Sequence, residues 1–141
     1  MDRNRIKKLI DDLRSKKIAM CKKDFLLTWE KSLPEIQATF LVADILRAMR
    51  ESNISPKVWD SGIAVSNFRD NSTRTRFSFA SACDLLGLFI QDLDEGKSQV
   101  AHGETVRETA NMISFLTEAI GIRDDMYLGE GDSYQREVGT A

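Results

Sequence analysis

The chain has 141 residues, 42% of them hydrophobic and 30% charged, with a formal net charge of −2. This is the profile of a single soluble domain able to bury its own core. Twenty Lys and Arg against 22 Asp and Glu disfavour polyanion binding. No apolar run approaches the roughly 20 residues of a membrane span, and no signal-type hydrophobic segment follows the first five residues. The expectation is a cytoplasmic protein without nucleic-acid or membrane partners.

Ile6, Leu9, Ile10 and Leu13 fall at helical spacing among Lys, Arg and Asp, predicting an amphipathic first helix. Residues 1–23 are set apart as that segment and residues 24–141 as the main domain. The charged face between Arg3 and Lys23 is interrupted by acids and reads as solvated. A nucleic-acid binder built on it would instead show steep salt dependence. Cys21 and Cys83 are isolated, with neither a C-x-x-C pair nor a His cluster, so no zinc site or disulfide framework is expected. Residues 24–30 form a short apolar run, docking segment or strand, that pattern does not decide.

Ser32-Leu33-Pro34-Glu35 is a capping box with Pro in the first turn. The stripe Ala38, Leu41, Val42, Ile45, Leu46 and Met49 predicts a long helix packed on a core. Asn53-Ile54-Ser55-Pro56 breaks it. The chain then passes Trp59-Asp60-Ser61 into Gly62-Ile63-Ala64-Val65-Ser66-Asn67-Phe68, a short run opened by Gly that reads as a buried strand.

After that strand comes Arg69-Asp70-Asn71-Ser72-Thr73-Arg74-Thr75-Arg76. Phe77, Ala80 and Cys83, widened by Phe79, Ala82, Leu85 and Leu86, predict a helix ended by Gly87. Ser72 to Thr75 thus occupy a strand-to-helix turn, where unpaired N–H groups and the macrodipole favour an anion. Hydroxyls and a guanidinium add directional donors suited to phosphate. The bland reading is a hydroxyl N-cap followed by solvated arginines. Leu88-Phe89-Ile90-Gln91-Asp92-Leu93 reads as a second strand, giving a βαβ unit with a parallel pair. Ligands in such sheets sit off the carboxyl ends of the strands, where this turn lies.

Residues 94–103 read as an exposed loop carrying the lone histidine, His102, by itself a surface residue. Thr105-Val106-Arg107-Glu108 is a second capping box, and the apolar spacing after it continues a helix to Gly121. Arg123 could cap that helix's C-terminus. The tail, residues 124–141, is rich in glycines and acids and reads as a loop followed by the start of another element.

The S-T-R-T-R run between strand and helix resembles the carbamoyl-phosphate loop of the aspartate and ornithine carbamoyltransferases. Phe25-Leu26-Leu27-Thr28-Trp29-Glu30, the residues Phe68 to Asn71, and the stretch Gly121 to Gly129 are similar to that family's knotted branch, whose acceptor has no firm assignment. The resemblance implies a three-layer α/β domain with a central parallel sheet flanked by helices, and Ala119-Ile120-Gly121-Ile122-Arg123 as its third strand. It implies that Ser72, Thr73, Arg74 and Thr75 hold the phosphate of carbamoyl phosphate. Arg123 would bind the carbonyl oxygen and phosphate and stabilise the oxyanion as an amine or amino-acid acceptor attacks. Ser98-Gln99-Val100-Ala101-His102-Gly103-Glu104-Thr105 resembles the mobile loop that reaches into a neighbouring subunit's site, so Ser98 and His102 would act across a homotrimer. The aspartate enzymes carry Lys where this chain has His102, so aspartate is not inferred as acceptor. No metal, cofactor or covalent enzyme intermediate is implied. Arg76 is left open between a structural ion pair and ligand contact.

Two departures stand out: Arg69-Asp70-Asn71 replaces the usual Pro-containing segment, and Ala80 stands where many members carry Glu. The family's H-P-x-Q signature and its acceptor-binding domain would lie beyond Ala141. The chain therefore reads as an N-terminal portion of a carbamoyltransferase, not active alone. A different class of function is a non-catalytic phosphate-binding or oligomerisation module with the same fold.

Overall fold

A computed structural model describes residues 3–69, 71–125 and 129–141. Asp70 and residues 126–128, within stretches that carry the family resemblance, lie outside the described residues, as do Met1 and Asp2. Residues 1–56 and 57–141 form two units.

In the first unit, helix α1 (Arg3–Arg14) packs on helix α2 (Leu33–Glu51). The capping box is formed: the Ser32 N–H and Oγ both donate to Glu35 Oε2, each at 2.8 Å. The buried side of α2 is centred on Ala38 and Ile45 and takes in Ala48. Val42, expected in the core stripe, is exposed, because the buried stripe runs from Ala38 through Ile45 toward Ala48 and Val42 lies on the other side of Ala38. Residues 24–30 resolve into neither alternative as a whole. Thr28–Glu30 make a 3-10 turn with Leu27 buried and Trp29 exposed.

The second unit holds three parallel strands, β1 (Ile63–Phe68), β2 (Phe89–Asp92) and β3 (Ala119–Arg123), in the order β2-β1-β3. Central β1 is buried from Ala64 to Phe68, which is why it reads as a nearly continuous apolar run. Helix α3 (Thr73–Leu86) joins β1 to β2, and α4 (Val106–Ser114) carries the chain from β2 past β1 to β3. The two crossovers run in opposite directions along the sheet, and the right-handed rule places their helices on opposite faces. Ala64, Cys83 and Leu88 form a core with Trp59, Phe79 and Ile90 around it. Gly121 faces the Phe79 ring so closely that a Cβ would lie 2.5 Å from it.

Three further expectations need correction. Phe77 stands six residues before Cys83 and so about 120° from it around α3; with Cys83 facing the core, Phe77 turns outward and is 74% exposed. Strand β2 is shorter than Leu88 to Leu93, spanning Phe89–Asp92. Helix α4 ends at Ser114 and not at Gly121. The Glu118 N–H donates to the Ile63 carbonyl at 2.8 Å, so by this point the sheet has claimed the backbone that periodicity assigned to a helix. The element expected to start within the tail is helix α5 (Gly131–Thr140), and the loop of residues 94–103 contains two short 3-10 turns, Glu95–Lys97 and Gln99–His102. Among the described residues no helix is long and apolar enough to cross a membrane.

The capping boxes make a pH prediction. Hydrogen bonds from Ser32 lower the Glu35 pKa, and those from Thr105 lower that of Glu108. A depressed folded-state pKa contributes stability that is full above the ordinary carboxylate range and lost as pH falls through the folded value. Glu35→Gln with Glu108→Gln should therefore flatten the acid limb of a thermal-melt series. An unchanged limb would show that these caps add no pH-dependent stability.

Candidate functional site

At the carboxyl edge of the sheet, Phe68 ends β1 opposite Arg123, which ends β3. The Arg69 N–H extends the ladder by donating to the Arg123 carbonyl at 2.9 Å. The chain leaves β1 toward β2 and returns past β1 to reach β3. Ligands in open α/β sheets ordinarily bind in the crevice off the carboxyl ends of the strands.

The residues that follow β1 fit such a crevice. Ser72 has extended backbone and caps α3: its Oγ accepts from the Thr75 N–H at 3.3 Å and donates to Thr75 Oγ1 at 2.8 Å. The N–H groups of Thr73 and Arg74 stand in the first turn, where no intrahelical acceptor exists. Thr73 and Arg74 are exposed, Ser72 and Thr75 half-buried. Among the described residues Arg74 has no ion-pair partner. A helix N-terminus with two hydroxyls and an uncommitted guanidinium can bind a phosphate-sized anion. Arg123 reaches the same edge of the sheet and is ion-paired with Asp125.

Ser98 and His102 are not joined to these groups within the chain. Ser98 Oγ donates to the Glu95 carbonyl at 3.0 Å and accepts from the Val100 N–H, capping its own turn. His102 is exposed at the end of that turn. Arg76 makes the structural ion pair: Nη1 meets Asp92 at 2.6 Å and Nη2 donates to the Phe68 carbonyl at 2.9 Å.

Sequence reasoning missed a polar network beside this edge. Arg69 Nη1 contacts Asp124 at 2.6 Å, its Nε contacts Glu95 at 3.2 Å, and its guanidinium lies 4.3 Å from the centre of the Tyr134 ring. Asn67, buried in β1, donates to Glu95 and Tyr134, and the Tyr134 hydroxyl donates to Glu95 at 2.8 Å. Burial, then the Glu95 carboxylate, pushes the Tyr134 pKa well up, so that hydroxyl stays a donor. Beside the network is an open cavity of about 740 Å³ lined by Phe68, Arg69, Arg76, Asp92 and Glu95 among others. The available signal was Ser66-Asn67, two polar residues closing an apolar strand, since buried polar groups need partners. No group of three or more His, Cys, Asp or Glu could hold a metal ion among the described residues.

A family model described as "Aspartate/ornithine carbamoyltransferase, carbamoyl-P binding domain" matches residues 23–138. The chain belongs to this carbamoyltransferase family. It is 63% identical over 136 residues, 96% of its length, to "Putative carbamoyltransferase YgeW" of Escherichia coli (strain K12), of which that match covers 34%. It is 36% identical over 105 residues to an ornithine carbamoyltransferase of Parafrankia sp. (strain EAN1pec), covering 74% of this chain and 33% of that protein. Its fold matches the aspartate transcarbamoylase of Trypanosoma cruzi in complex with carbamoyl phosphate, with a TM-score of 0.69 at 19% identity over 83% of this chain and 36% of that one. This carbamoyltransferase domain spans about a third of the length of the curated relatives it matches.

Proposed function

We propose that the domain holds carbamoyl phosphate for a carbamoyltransferase that moves the carbamoyl group to an amine or amino-acid acceptor. The observation that carries this reading is the pairing of Phe68 with Arg123. It sets the hydroxyl-capped start of α3 and a strand-terminal guanidinium on one edge of the sheet. In the proposed reaction the acceptor nitrogen attacks the carbonyl carbon, charge builds on the carbonyl oxygen, and the C–O bond to phosphate breaks as the amine loses its proton. Ser72, Thr73, Arg74 and Thr75 hold the departing phosphate, and Arg123 stabilises the oxyanion. Fixed donors of this kind act by electrostatics and positioning. Ser98 and His102 serve a neighbouring copy's site in a homotrimer, and sedimentation of the full-length protein only as a monomer would refute that part. Calorimetric titration with carbamoyl phosphate tests the binding role: absence of binding at millimolar ligand defeats it. Turnover with a panel of amines tests the transfer.

The Arg123–Asp125 ion pair favours one second reading, a phosphate-binding module of the same fold that transfers nothing, in which this pair stays closed. If ligand must instead displace Asp125, Asp125→Asn should tighten phosphate binding about threefold, the scale of a part-exposed pair. Unchanged or weaker binding in that variant favours the second reading.

A further inference from the structure

The polar network touches each segment that carries a candidate ligand group. Arg69 stands three residues before Ser72, and Glu95 stands three before Ser98, whose hydroxyl donates to the Glu95 carbonyl at 3.0 Å. Asp124 directly follows Arg123. These segments leave β1, β2 and β3 respectively, and loops at the ends of separate strands ordinarily move independently. Here one guanidinium spans all three, closed from the side by Tyr134 of α5.

We infer that Arg69, Glu95, Asp124 and Tyr134 form a positioning clasp that sets the loop after β1, the loop after β2 and the end of β3 as one unit. The inference rests on the reading of those segments as a phosphate site and supplies what holds them in register. Arg69 is its hub. The Asp124 side chain is only 5% exposed, so withdrawing Arg69 would take a counter-charge from a carboxylate held largely away from water, an unfavourable change. Glu95 is held by Arg69 and also accepts from Asn67 and Tyr134. Because Arg69 and Glu95 each hold partners from more than one of these segments, a change at one contact is passed to the others, and the three segments gain or lose order together.

A network that only stabilises the fold would lower the melting temperature and leave the segments uncoupled. Amide hydrogen exchange on the ligand-free 141-residue chain separates the two roles, using Glu95→Gln and the milder Tyr134→Phe. The hydrogen-bonded amides of Arg69, Arg76 and Val100 report on the three segments, since the Arg69 amide bonds to the end of β3. Protection at all three should fall together by roughly tenfold, with residues 3–56 unchanged. A fall confined to Val100 overturns the clasp. Should Glu95→Gln unfold the chain, Tyr134→Phe decides by the same criterion. A second arm titrates inorganic phosphate below the melting transition, where both variants should bind about tenfold more weakly than wild type; affinity within twofold overturns the positioning role. If the wild type itself binds no phosphate, the proposed function fails, while the exchange arm still decides whether the segments are coupled.

Discussion

Replacing Arg74 with Ala weakens carbamoyl phosphate and inorganic phosphate binding by about a hundredfold and leaves the melting temperature within a degree or two of wild type. Charge-assisted hydrogen bonds to a phosphate contribute roughly 1.5–3 kcal/mol, which is about ten- to 150-fold in affinity. The upper part of that range applies because an oxyanion loses both the guanidinium charge and its fork of donors. Stability is spared because Arg74 is exposed and, among the described residues, has no ion-pair partner. Surface changes away from such partners typically shift stability by no more than about 0.5 kcal/mol. Calorimetric titration paired with a thermal melt checks both halves. Binding in the variant within threefold of wild type would remove Arg74 from the site, and with it the directional part of the phosphate reading.

Gly87→Ala should unfold the second unit or come close to it. Gly87 ends α3 with φ of +96°, and a Cβ there would lie 2.0 Å from the Trp59 carbonyl oxygen. The obstruction is backbone, which cannot rotate away. The same Trp59 segment is fastened to the helix end, because the Val58 and Trp59 N–H groups both donate to the Leu86 carbonyl at 3.0 Å. A left-handed conformation costs a non-glycine residue about 1–2 kcal/mol. The clash adds enough to bring the total to about 3 kcal/mol or more, a large share of a domain's marginal stability. Gly103→Ala is the matched control. Its φ is +99° but nothing lies within 4 Å of the added Cβ, so only the conformational penalty applies. Urea denaturation of the two variants should differ clearly in midpoint, and equal midpoints would show that the Trp59 contact yields.

Local chemistry was legible wherever a short stretch decides its own structure. The two capping boxes and the glycine stop of α3 place their hydrogen bonds within a few residues, and β1 announces itself by a short, largely apolar run, so pattern alone reaches them. Family membership was legible for a related reason: the S-T-R-T-R run and its flanking residues are contiguous. Less legible were α4 and Phe77. Periodicity carried the helix on to Gly121, but β1 takes the Glu118 N–H, a partner 55 positions away in the chain. Phe77 looked like core because its step to Ala80 suits a stripe, yet it lies on a different face of α3 from the buried Cys83.

For this chain, then, composition, caps and one contiguous motif determined the class of fold, the family and the phosphate-compatible turn, since each depends on neighbours in the chain. The tertiary structure decided that Arg123 ends its strand beside Phe68, that Arg76 pairs with Asp92, and that Arg69 bridges Glu95 and Asp124. Those contacts join residues 16 to 55 positions apart. Single-chain pattern is blind to them, because a charged side chain in a loop looks solvated until the sheet register brings its counter-charge within 3 Å or so.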